Sequence, residues 1–356
     1  MQPDQRLLEV TDLKTHFDTP RGILKAVDGV SFSLNKGETL GIVGESGSGK
    51  SVLVRSIMNI LTSNAIVPQS SKVRFEGKDV SQLNKAEAKH FWGTQMAMVF
   101  QDPMTSLNPV KKIGVQITES VRFHLHASKQ EALQRAMDLM VQVGIPEPRK
   151  RLSEYPHQLS GGMRQRVTIA IALACNPKLL IADEPTTALD VTVQKQILDL
   201  LASLQEELDM AMILITHDLG VVAGRTQRIG VMYAGKMVET ADTSTLFANM
   251  HHPYTEALFK SIPRVDNESH TRLDAISGRP PDMARELVGC RFAPRCRYAQ
   301  NRCISEEPEL LEASAPNHQQ ACFYPVGSAH NQQAAAANQQ AGITAAGLDL
   351  TAAAVS

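Results

Sequence analysis

The chain contains 356 residues, of which 43% are hydrophobic and 21% are charged, and its formal net charge at pH 7 is -1. This composition is typical of a globular protein with one large or two modest domains, and the near-neutral charge argues against non-specific binding to DNA or RNA. No apolar run is long enough to span a bilayer, and the N-terminal sequence is not typical of a signal peptide. We therefore expect a cytoplasmic protein that reaches a membrane only through a partner.

The first part of the chain, 7–34, is predicted to form short strands. Apolar residues alternate with serine from 30 to 34, which is the period of a half-buried strand. The same alternation at 73–75 precedes a Gly77-Lys78 turn and predicts further antiparallel sheet. An antiparallel layer is therefore expected near the N-terminus.

Phe17 lies within this layer, about one strand and a turn before the glycine-rich segment that follows. An exposed aromatic ring here could stack on an adenine ring, because that contact needs only a π-face. A buried core phenylalanine would account for the position equally well. The residues alone leave both interpretations open.

The most specific motif of the chain follows an apolar run at 40–43 that is predicted to be a buried strand. Eight residues fit G-x-x-x-x-G-K-[ST], and the apolar residues behind them predict a helix. The glycines let backbone N–H groups turn towards a phosphate at the helix N-terminus. Lys50 would reach the β- and γ-phosphates, and the Ser51 hydroxyl would bind Mg²⁺. The motif predicts a nucleoside triphosphate site formed by Gly44, Glu45, Ser46, Gly47, Ser48, Gly49, Lys50 and Ser51.

A second buried strand is predicted at 96–100, and the pattern then becomes helical from about 102 to 165. Ser128 is a suitable N-cap, and Gly144 marks the end of the helix that begins there. This region is expected to be a helical insertion into an α/β core. The apolar residues that recur at helix spacing are Ala132, Leu133, Ala136, Leu139, Met140 and Val143.

Ser160, Gly161 and Gly162 precede an apolar helix predicted from Val167 to Ala174. They would place N–H groups at a helix N-terminus, which is again a geometry that binds phosphate. Ser-Gly-Gly alone is usually only a cap. In a chain that already has one phosphate motif, it favours a second anion site.

Two further buried strands, at 179–182 and 212–216, end in polar residues. Asp183 and Glu184 follow the first strand, where Asp183 could serve Mg²⁺ and Glu184 could face an attacking water. A solvated acidic strand end is the alternative, but α/β sheets bind ligands at the carboxyl ends of their strands. His217 follows the second strand, and this position favours a functional role over a purely structural one.

These segments, in this order, resemble the ATP-binding cassette (ABC) family over residues 5 to about 245. The resemblance implies an α/β fold with a mixed sheet, an antiparallel β subdomain and a helical subdomain. It also implies that cassettes work in pairs, with each ATP held between the phosphate loop of one chain and the LSGG segment of the other. The matching segments are the phosphate loop, Gln101, LSGGMRQR at 159–166, LLIADEP at 179–185, Ala188-Leu189-Asp190 and His217.

The resemblance assigns roles to single residues. Phe17 resembles the adenine-stacking position, and Gln101 resembles the lid residue that contacts Mg²⁺ and relays to a membrane partner. Glu184 matches the general base, and His217 matches the γ-phosphate switch. No departure is seen at these positions, so the hydrolytic residues are expected to be intact. The implied Mg²⁺ ligands are Ser51, Gln101 and Asp183.

The remaining sequence resembles the oligopeptide/dipeptide importer ATPases. The implied assembly is a peripheral one at the cytoplasmic face of the inner membrane, with a second ATPase chain as a heterodimer, two permeases and a solute-binding protein. The segment from Gln101 to about Ile117 is expected to receive a permease helix. Related importers carry nickel or oligosaccharides, so these cargoes remain alternatives to peptides. The matching segments are 100–109, 252–255, 277–281 and 289–296.

We expect a nucleotide-binding domain at 5–250 with its helical subdomain at about 102–165, a C-terminal extension at 251–325, and a tail at 326–356. The tail is rich in Ala and Gln and is expected to be disordered or to form a marginal helix. A soluble ABC protein that acts on DNA or the ribosome is a competing class. Such proteins typically fuse two cassettes or insert coiled coils, and this chain has one cassette and no sustained heptads. A simple phosphate-loop kinase would not explain LSGG or His217.

Four of the five cysteines lie between 290 and 322 with the spacing C-x5-C-x6-C-x18-C. No pair is as close as the C-x₂₋₄-C pairs of structural zinc sites, whereas four thiolates from a loop-rich segment suit an iron–sulfur cluster. The importer ATPases that this segment resembles carry a [4Fe–4S] centre there, so the resemblance implies the same cofactor. Zinc and free thiols remain alternatives. The expected ligands are Cys290, Cys296, Cys303 and Cys322, and the arginines expected to offset the cluster charge are Arg291, Arg295, Arg297 and Arg302.

Overall fold

The computed structural model describes residues 5–187, 189–262, 276–313 and 315–350. Among these residues, no helix combines the length and the apolarity needed to cross a membrane.

The strands are β1 Arg6–Thr19, β2 Gly22–Asn35, β3 Thr39–Val43, β4 Ala65–Ile66, β5 Lys72–Phe75, β6 Lys78–Asp79, β7 Met96–Val99, β8 Leu179–Asp183, β9 Ala211–Thr216, β10 Arg228–Tyr233, β11 Lys236–Asp242, β12 Leu311–Glu312 and β13 Gln319–Gln320. The helices are α1 Lys50–Ile57, α2 Lys85–Phe91, α3 Pro103–Ser106, α4 Ile113–Leu125, α5 Lys129–Gln142, α6 Pro148–Arg151, α7 Gly161–Ala172, α8 Val191–Glu207, α9 Leu219–Val222, α10 Thr243–Ala248, α11 Pro253–Lys260, α12 Asn301–Ser305 and α13 Ala329–Ala341. Short 3-10 turns occur at Val80–Gln82, Pro156–Gln158 and Ala293–Arg295.

The chain divides into two compact units whose segments interleave along the sequence. The predicted carboxylates belong to the first unit and the predicted phosphate loop to the second. The sequence predicts three consecutive regions, whereas these two units are each made of several separate segments. The three regions therefore stay a prediction. The first unit contains the described parts of Met1–Leu8, Ser33–Thr39 and Arg74–Ile215, and the second those of Glu9–Phe32, Leu40–Val73 and Thr216–Ser356.

Three parallel strands, β7, β8 and β9, lie next to one another in the first unit, and the predicted carboxylates Asp183 and Glu184 are at the end of β8. β7 pairs with β8 so that Met96 lies opposite Leu179, and β8 pairs with β9 so that Leu179 lies opposite Ala211. Every residue of β8 and β9 is buried. The apolar runs predicted as central parallel strands are therefore confirmed. The carboxyl end of β8 is Asp183, at the kind of sheet edge where α/β proteins bind ligands.

Residues 102–165 contain the helices α3 to α6 and the first turn of α7, so their helical pattern is confirmed. Ser128 caps α5, and the side chains of Ser128 and Glu131 each accept a hydrogen bond from the backbone N–H of the other residue. Ala132, Ala136 and Leu139 are buried as predicted. Leu133 is an exception, since 49% of it is exposed. It follows Ala132 directly, and one residue of helical rotation turns it away from the apolar stripe.

The second unit contains β3, which leads into the phosphate loop. β3 pairs in parallel with β10, so that Leu40 lies opposite Arg228, and β11 returns antiparallel to β10. The C-terminal extension adds β13 and β12 to this sheet beyond β11. All five residues of β3 are buried and α1 begins at Lys50, so the predicted order of strand, glycine loop and helix is confirmed.

The N-terminal layer has two long strands, β1 and β2 with 14 residues each, instead of the short strands predicted. The predicted alternation is present, because Val30 and Leu34 are fully buried and Ser31 is exposed. Polar side chains on the exposed face, such as Thr11, interrupt the apolar signal without interrupting the strand. The predicted turn at Gly77 joins the antiparallel pair β5 and β6.

The tail is helical over much of its length. For α13 the disordered alternative is wrong, and residues 351–356 lie outside the described part of the chain. The Ser328 hydroxyl accepts a hydrogen bond from the Asn331 N–H at 3.1 Å and caps the first turn. Gly342 ends the helix with a φ of 70°, in the left-handed region that favours glycine.

Buried amide side chains fix α13 against the cysteine-bearing segment of the same unit. Asn338 is 5% exposed, and its Nδ2 donates to the carbonyl oxygens of Arg297 at 2.9 Å and Ala299 at 3.1 Å. Gln300 Nε2 donates to Asn338 Oδ1 at 2.8 Å. An Ala- and Gln-rich composition gives no sign of such contacts, which explains why the sequence favoured disorder.

Candidate functional site

The phosphate loop of the second unit has two glycines that no other residue could replace without a clash. A Cβ atom at Gly44 would lie 2.2 Å from the Met232 carbonyl oxygen, and one at Gly49 would lie 2.2 Å from the Ala26 carbonyl oxygen. Gly49 also has a φ of 104°. The glycines of the motif therefore reflect close backbone packing around the loop.

Two polar side chains of the loop suit a phosphate ligand. Lys50 is 4% exposed, and its Nζ donates to the carbonyl oxygens of Gly44 at 2.7 Å and Glu45 at 3.0 Å. The Ser48 hydroxyl is buried and has no hydrogen-bond partner among the described residues. Because buried polar groups nearly always form hydrogen bonds, this hydroxyl is suited to donate a hydrogen bond to an oxygen of a bound ligand. Ser51, the predicted Mg²⁺ ligand, is half-buried in the first turn of α1.

Glu45 is placed differently from the other residues of the loop. Its backbone N–H donates to Tyr254 Oη at 2.7 Å, so this N–H supports the loop instead of facing a phosphate. Its carboxylate accepts hydrogen bonds from Arg295 at 2.6 and 2.9 Å. Sequence reasoning did not connect Tyr254 or Arg295 with the loop. They are 209 and 250 residues away in the chain, and no local pattern reports such a contact.

Phe17 and His217 also belong to the second unit. Phe17 lies in β1 opposite Ala65 of β4 and is half-buried, which excludes the fully buried core position. Its contact with adenine stays a prediction. His217 follows β9 and is exposed, and Asp218 beyond it caps α9 by accepting from the Gly220 N–H at 2.8 Å. The role of His217 at the γ-phosphate stays a prediction.

Asp183 and Glu184 occupy different environments at the end of β8. Asp183 is 1% exposed, whereas Glu184 lies beyond the strand and is half-buried. We predicted that the two side chains would be separated because they alternate along one strand. They are separated for a different reason, since the strand ends between Asp183 and Glu184. Glu184 has a φ of 44°, and its N–H donates to the Ile215 carbonyl oxygen at 3.0 Å. Left-handed backbone at a residue with a side chain is uncommon and concentrates at functional sites.

The Glu184 carboxylate is oriented by two hydrogen bonds to the same oxygen. Gln101 Nε2 lies 3.0 Å from Glu184 Oε2, and Thr187 Oγ1 lies 3.1 Å from it. All three residues belong to the first unit. The structure thus brings together two of the predicted catalytic residues, Gln101 and Glu184. Thr187 was missed, although its position three residues after a candidate base could have suggested a local hydrogen bond.

The LSGG segment opens α7, which begins at Gly161 and not at Val167 as predicted. The Ser160 hydroxyl accepts from the Met163 N–H at 3.3 Å, so the predicted cap is confirmed. A Cβ atom at Gly162 would lie 2.8 Å from a methyl group of Val193, which accounts for the second glycine. The contact of this helix N-terminus with the ATP of a second cassette stays a prediction. Ala188 of the neighbouring motif lies outside the described residues.

The four predicted cysteine ligands line one pocket of the second unit together with aromatic residues such as Phe292 and Phe323. All four are free thiols. Burial raises the pKa of each of them, in the case of Cys290 to about 11, which keeps them protonated near neutral pH. Four cysteines around one pocket match the residue types of a four-thiolate site. Within the described ranges, however, no group of three or more His, Cys, Asp or Glu is placed to hold a metal ion.

The arginines near these cysteines have other partners than those expected. Arg295 pairs with Glu45, Arg291 pairs with Asp28 and Glu307, and Arg302 pairs with Glu306. These carboxylates compensate part of the arginine charge, while the positive charge of Arg302 also opposes the rise in the pKa of the Cys303 thiol. The offset of a cluster charge by these arginines stays a prediction. The guanidinium of Arg297 lies over the ring of Tyr298.

Two family models match the chain. The model described as ABC transporter matches residues 27–187, and the model described as the C-terminal region of oligopeptide/dipeptide transporters matches residues 238–303. The first match includes the phosphate loop, Gln101, LSGG and Glu184. The second match includes three of the four clustered cysteines, up to Cys303.

Curated relatives match the chain over most of its length. It is 50% identical over 309 residues to the oligopeptide transport ATP-binding protein OppD of Bacillus subtilis, covering 87% of this chain and 86% of the relative. It is 48% identical over 323 residues to the dipeptide transport ATP-binding protein DppD of Escherichia coli, covering 91% and 98%. Among solved structures, a dimeric ATP-binding cassette in a post-hydrolysis state with ADP and Pi has a TM-score of 0.60 and 27% identity, covering 67% of this chain and 99% of that one. The structure of cbiO1 from Clostridium perfringens, part of an ABC transporter complex, has a TM-score of 0.59 and 27% identity, covering 68% and 91%.

Proposed function

The chain belongs to the ABC transporter family, and on that premise we propose that it binds and hydrolyses ATP to power a membrane importer of peptides. The observation that carries the proposal is the Glu184 carboxylate, held by Gln101 and Thr187 beyond the end of β8. The peptide cargo is supported by the relatives, which are named as oligopeptide and dipeptide transport proteins.

The phosphate loop binds the triphosphate. The Lys50 ammonium, which donates to carbonyl oxygens of the loop in this structure, binds the β- and γ-phosphates instead when the nucleotide is present. The buried Ser48 hydroxyl then donates to a phosphate oxygen. Ser51, Gln101 and Asp183 are the residues that would hold Mg²⁺. When bound, this cation would neutralise charge on the β- and γ-phosphates. Phe17 stacks on the adenine ring.

Glu184 acts as the general base. Its carboxylate takes a proton from the water that attacks the γ-phosphate, and the hydrogen bonds from Gln101 and Thr187 keep one of its oxygens in place. Fixing the base in this way lowers the entropic cost of reaching the transition state. His217 senses the γ-phosphate, and hydrolysis removes that contact.

The active unit is a pair of ATPase chains, proposed here to be a heterodimer. The N-terminus of α7, capped by Ser160, faces the ATP on the phosphate loop of the partner chain. Gly161 leaves the backbone open to that ligand, whereas Gly162 makes room for Val193. ATP therefore draws the two chains together, and hydrolysis releases them.

The pair works at the cytoplasmic face of the inner membrane under two permeases, with a solute-binding protein that delivers the cargo. Support for a docking surface comes from apolar side chains exposed between 100 and 115 in the first unit. The exposed fractions are 40% for Phe100, 60% for Met104, 80% for Val110 and 49% for Val115. Gln101 begins this segment and contacts the base, so the segment is suited to report nucleotide state to a permease.

The four cysteines are proposed to hold a [4Fe–4S] cluster that fastens the C-terminal extension. Support comes from four thiols around one pocket. The bound cluster would act as a cross-link between distant parts of this segment, and the thiols would lose their protons on binding it.

Anaerobically purified protein should contain iron and sulfide and absorb visible light, and Cys296→Ser should bleach it while ATP binding is kept. Colourless anaerobic protein with stoichiometric zinc would contradict this assignment.

Peptide uptake by the complete transporter in liposomes tests the proposed function. With ATP supplied on the side of the ATPase chains, we expect peptide uptake together with hydrolysis, and we expect Lys50→Ala to abolish both. Uptake of nickel or an oligosaccharide in place of peptides would change the cargo and keep the class. Hydrolysis without any transported solute, together with binding to DNA or ribosomes, would contradict the proposal.

A further inference from the structure

The carboxylate of Glu45, the second residue of the phosphate loop, is paired with Arg295 of the C-terminal extension. Arg295 Nη1 lies 2.6 Å from Glu45 Oε2, and Arg295 Nη2 lies 2.9 Å from Glu45 Oε1. The Arg295 side chain is 4% exposed and that of Glu45 is 26% exposed. Two parallel hydrogen bonds from one guanidinium fix the orientation of the carboxylate as well as its position. Both residues belong to the second unit.

Arg295 is itself held rigidly. Its Nε donates to the Ser277 carbonyl oxygen at 2.9 Å, Nη2 donates to the Ile276 carbonyl oxygen at 3.3 Å, and Nη1 donates to Tyr233 Oη at 3.4 Å. Together with the two bonds to Glu45, these contacts use every N–H of the guanidinium. Burial, the largest single effect, opposes the charge, but the interactions with Glu45 and Tyr233 together outweigh it and hold the pKa of Arg295 above its usual range. Arg295 is therefore a permanently charged and immobile anchor.

A second contact links the same loop residue to the extension. The Glu45 N–H donates to Tyr254 Oη at 2.7 Å. The buried Tyr254 ring lies 4.6 Å from the ring of Tyr233 and 5.4 Å from the ring of Phe292, measured between centroids. The backbone and the side chain of Glu45 are thus both held by one aromatic and guanidinium cluster.

Two members of this cluster lie on the cysteine-bearing stretch of the chain. Phe292 and Arg295 fall between Cys290 and Cys296, and Ala293–Arg295 forms a 3-10 turn. The Cys290 N–H donates to the Cys303 carbonyl oxygen at 2.7 Å, which ties the stretch to α12. A change in the conformation of residues 290–296 would therefore move the anchor of the phosphate loop.

We infer that Arg295 is a positioning residue that holds the phosphate loop through Glu45 and couples residues 290–296 to the nucleotide. The inference rests on the proposed binding of ATP at the phosphate loop. Arg295 acts through the carboxylate, without touching the nucleotide. Because coupling is reciprocal, ATP stabilises residues 290–296 to the same degree that these residues favour ATP.

Binding of a fluorescent ATP analogue to the purified chain measures the link. Arg295→Met removes the anchor and leaves an unpaired carboxylate near the triphosphate, and we expect the dissociation constant to rise about tenfold or more. Glu45→Ala also removes the anchor, but the charge that it leaves unpaired is a guanidinium, which does not repel the triphosphate, so it should weaken binding less. The double variant should bind like Glu45→Ala and more tightly than Arg295→Met, which a role limited to general stability would not produce.

Arg302→Met is the matched control, because Arg302 lies in the same extension and pairs with the exposed Glu306. It should change the dissociation constant less than about twofold. Additive losses in the double variant would overturn the inference. A loss in Arg295→Met with none in Glu45→Ala would also overturn it, because it would mean that the arginine contacts the phosphates directly.

Hydrogen–deuterium exchange keeps the inference testable if Arg295→Met does not fold. ATP should slow the exchange of amides in residues 290–296 of the unaltered chain, and Glu45→Ala should abolish this protection. If the unaltered chain fails to bind ATP, the proposed function fails. If it binds ATP and exchange in these residues is unchanged, this inference alone fails.

Discussion

Gln101 Nε2 donates a hydrogen bond to Glu184 Oε2 at 3.0 Å, although 83 residues separate them in the chain. Thr187 Oγ1 donates to the same oxygen at 3.1 Å. With its backbone in the left-handed region, Glu184 is held in one place by its main chain and in one orientation by two side chains. This arrangement leaves little freedom to a carboxylate that acts as a base.

We expect Gln101→Ala to slow ATP hydrolysis about 10- to 100-fold, because the carboxylate loses one of the bonds that orient it. ATP affinity should stay within about threefold, since that change does not alter the phosphate loop. The two quantities are measured as the single-turnover rate and the dissociation constant. Gln134→Ala, which removes an exposed side chain bonded only locally to Asp138, is the control. An unchanged rate in Gln101→Ala would contradict this role.

Gly49 and Gly47 of the phosphate loop both have a positive φ, but only Gly49 is packed closely against other atoms, so the two positions allow a matched comparison. Gly49→Ala would bring a Cβ atom to 2.2 Å from the Ala26 carbonyl oxygen, so we expect a loss of ATP affinity of more than about 100-fold. Gly47 also has a positive φ, 81°, but no atom lies within 4 Å of a Cβ there. Gly47→Ala should therefore cost only the backbone strain of about 1 kcal/mol, or about fivefold in affinity. Equal losses in the two variants would show that backbone conformation and not close packing selects glycine.

Local signals in the sequence predict much of this structure. The buried strands β3, β8 and β9 are continuous apolar runs, and the Ser128 and Ser160 caps follow from side chains that pair with nearby N–H groups. The phosphate loop is recognisable because its chemistry requires glycines at fixed spacing.

Contacts between distant residues could not be predicted in the same way. The bonds that join Glu45 to Arg295 and Tyr254 depend on the tertiary fold, and the sequence led us to expect Arg295 only as a charge beside the cysteines. For the tail, the sequence left disorder and a marginal helix open, because the buried asparagine contacts of α13 add a stability that composition does not report. The left-handed backbone of Glu184 also has no signal in a sequence that could simply continue the strand.

Charge reversal at Lys111 and Lys112 tests the proposed permease contact. We expect peptide transport to fall about tenfold while ATP binding by the isolated chain is unchanged, because charges at the rim of an interface mainly affect association. Lys111 pairs with Glu119 at 2.8 Å, and both side chains are exposed. Lys111→Glu with Glu119→Lys restores that pair and serves as the control for local disruption. Equal loss of transport and ATP binding would indicate misfolding and contradict the proposed contact.

Glu239 is the buried centre of a hydrogen-bond network in the second unit. Its fully buried carboxylate accepts from His318 Nε2 at 2.8 Å, from the His251 N–H at 2.6 Å and from the His252 N–H at 3.0 Å. Glu239→Ala would leave these donors unpaired, so we expect the free energy of unfolding in urea to fall by about 3–5 kcal/mol. Glu306→Ala is the control and should cost less than about 1 kcal/mol, because its carboxylate is 55% exposed. Similar losses in the two variants would contradict the importance of the buried network.

The most direct test of the account is single-turnover ATP hydrolysis by Glu184→Gln in the assembled transporter, measured at both nucleotide sites together with peptide uptake. The substitution removes the base and keeps Lys50 and Ser51, so ATP should still bind and the two ATPase chains should accumulate in a closed, ATP-loaded state. We predict that hydrolysis at the site of this chain falls about 10²–10⁴-fold and that uptake is lost with it. Hydrolysis at the unaltered rate at that site would contradict the assignment of Glu184 as the base, and full peptide uptake without it would contradict the proposal that this site powers import.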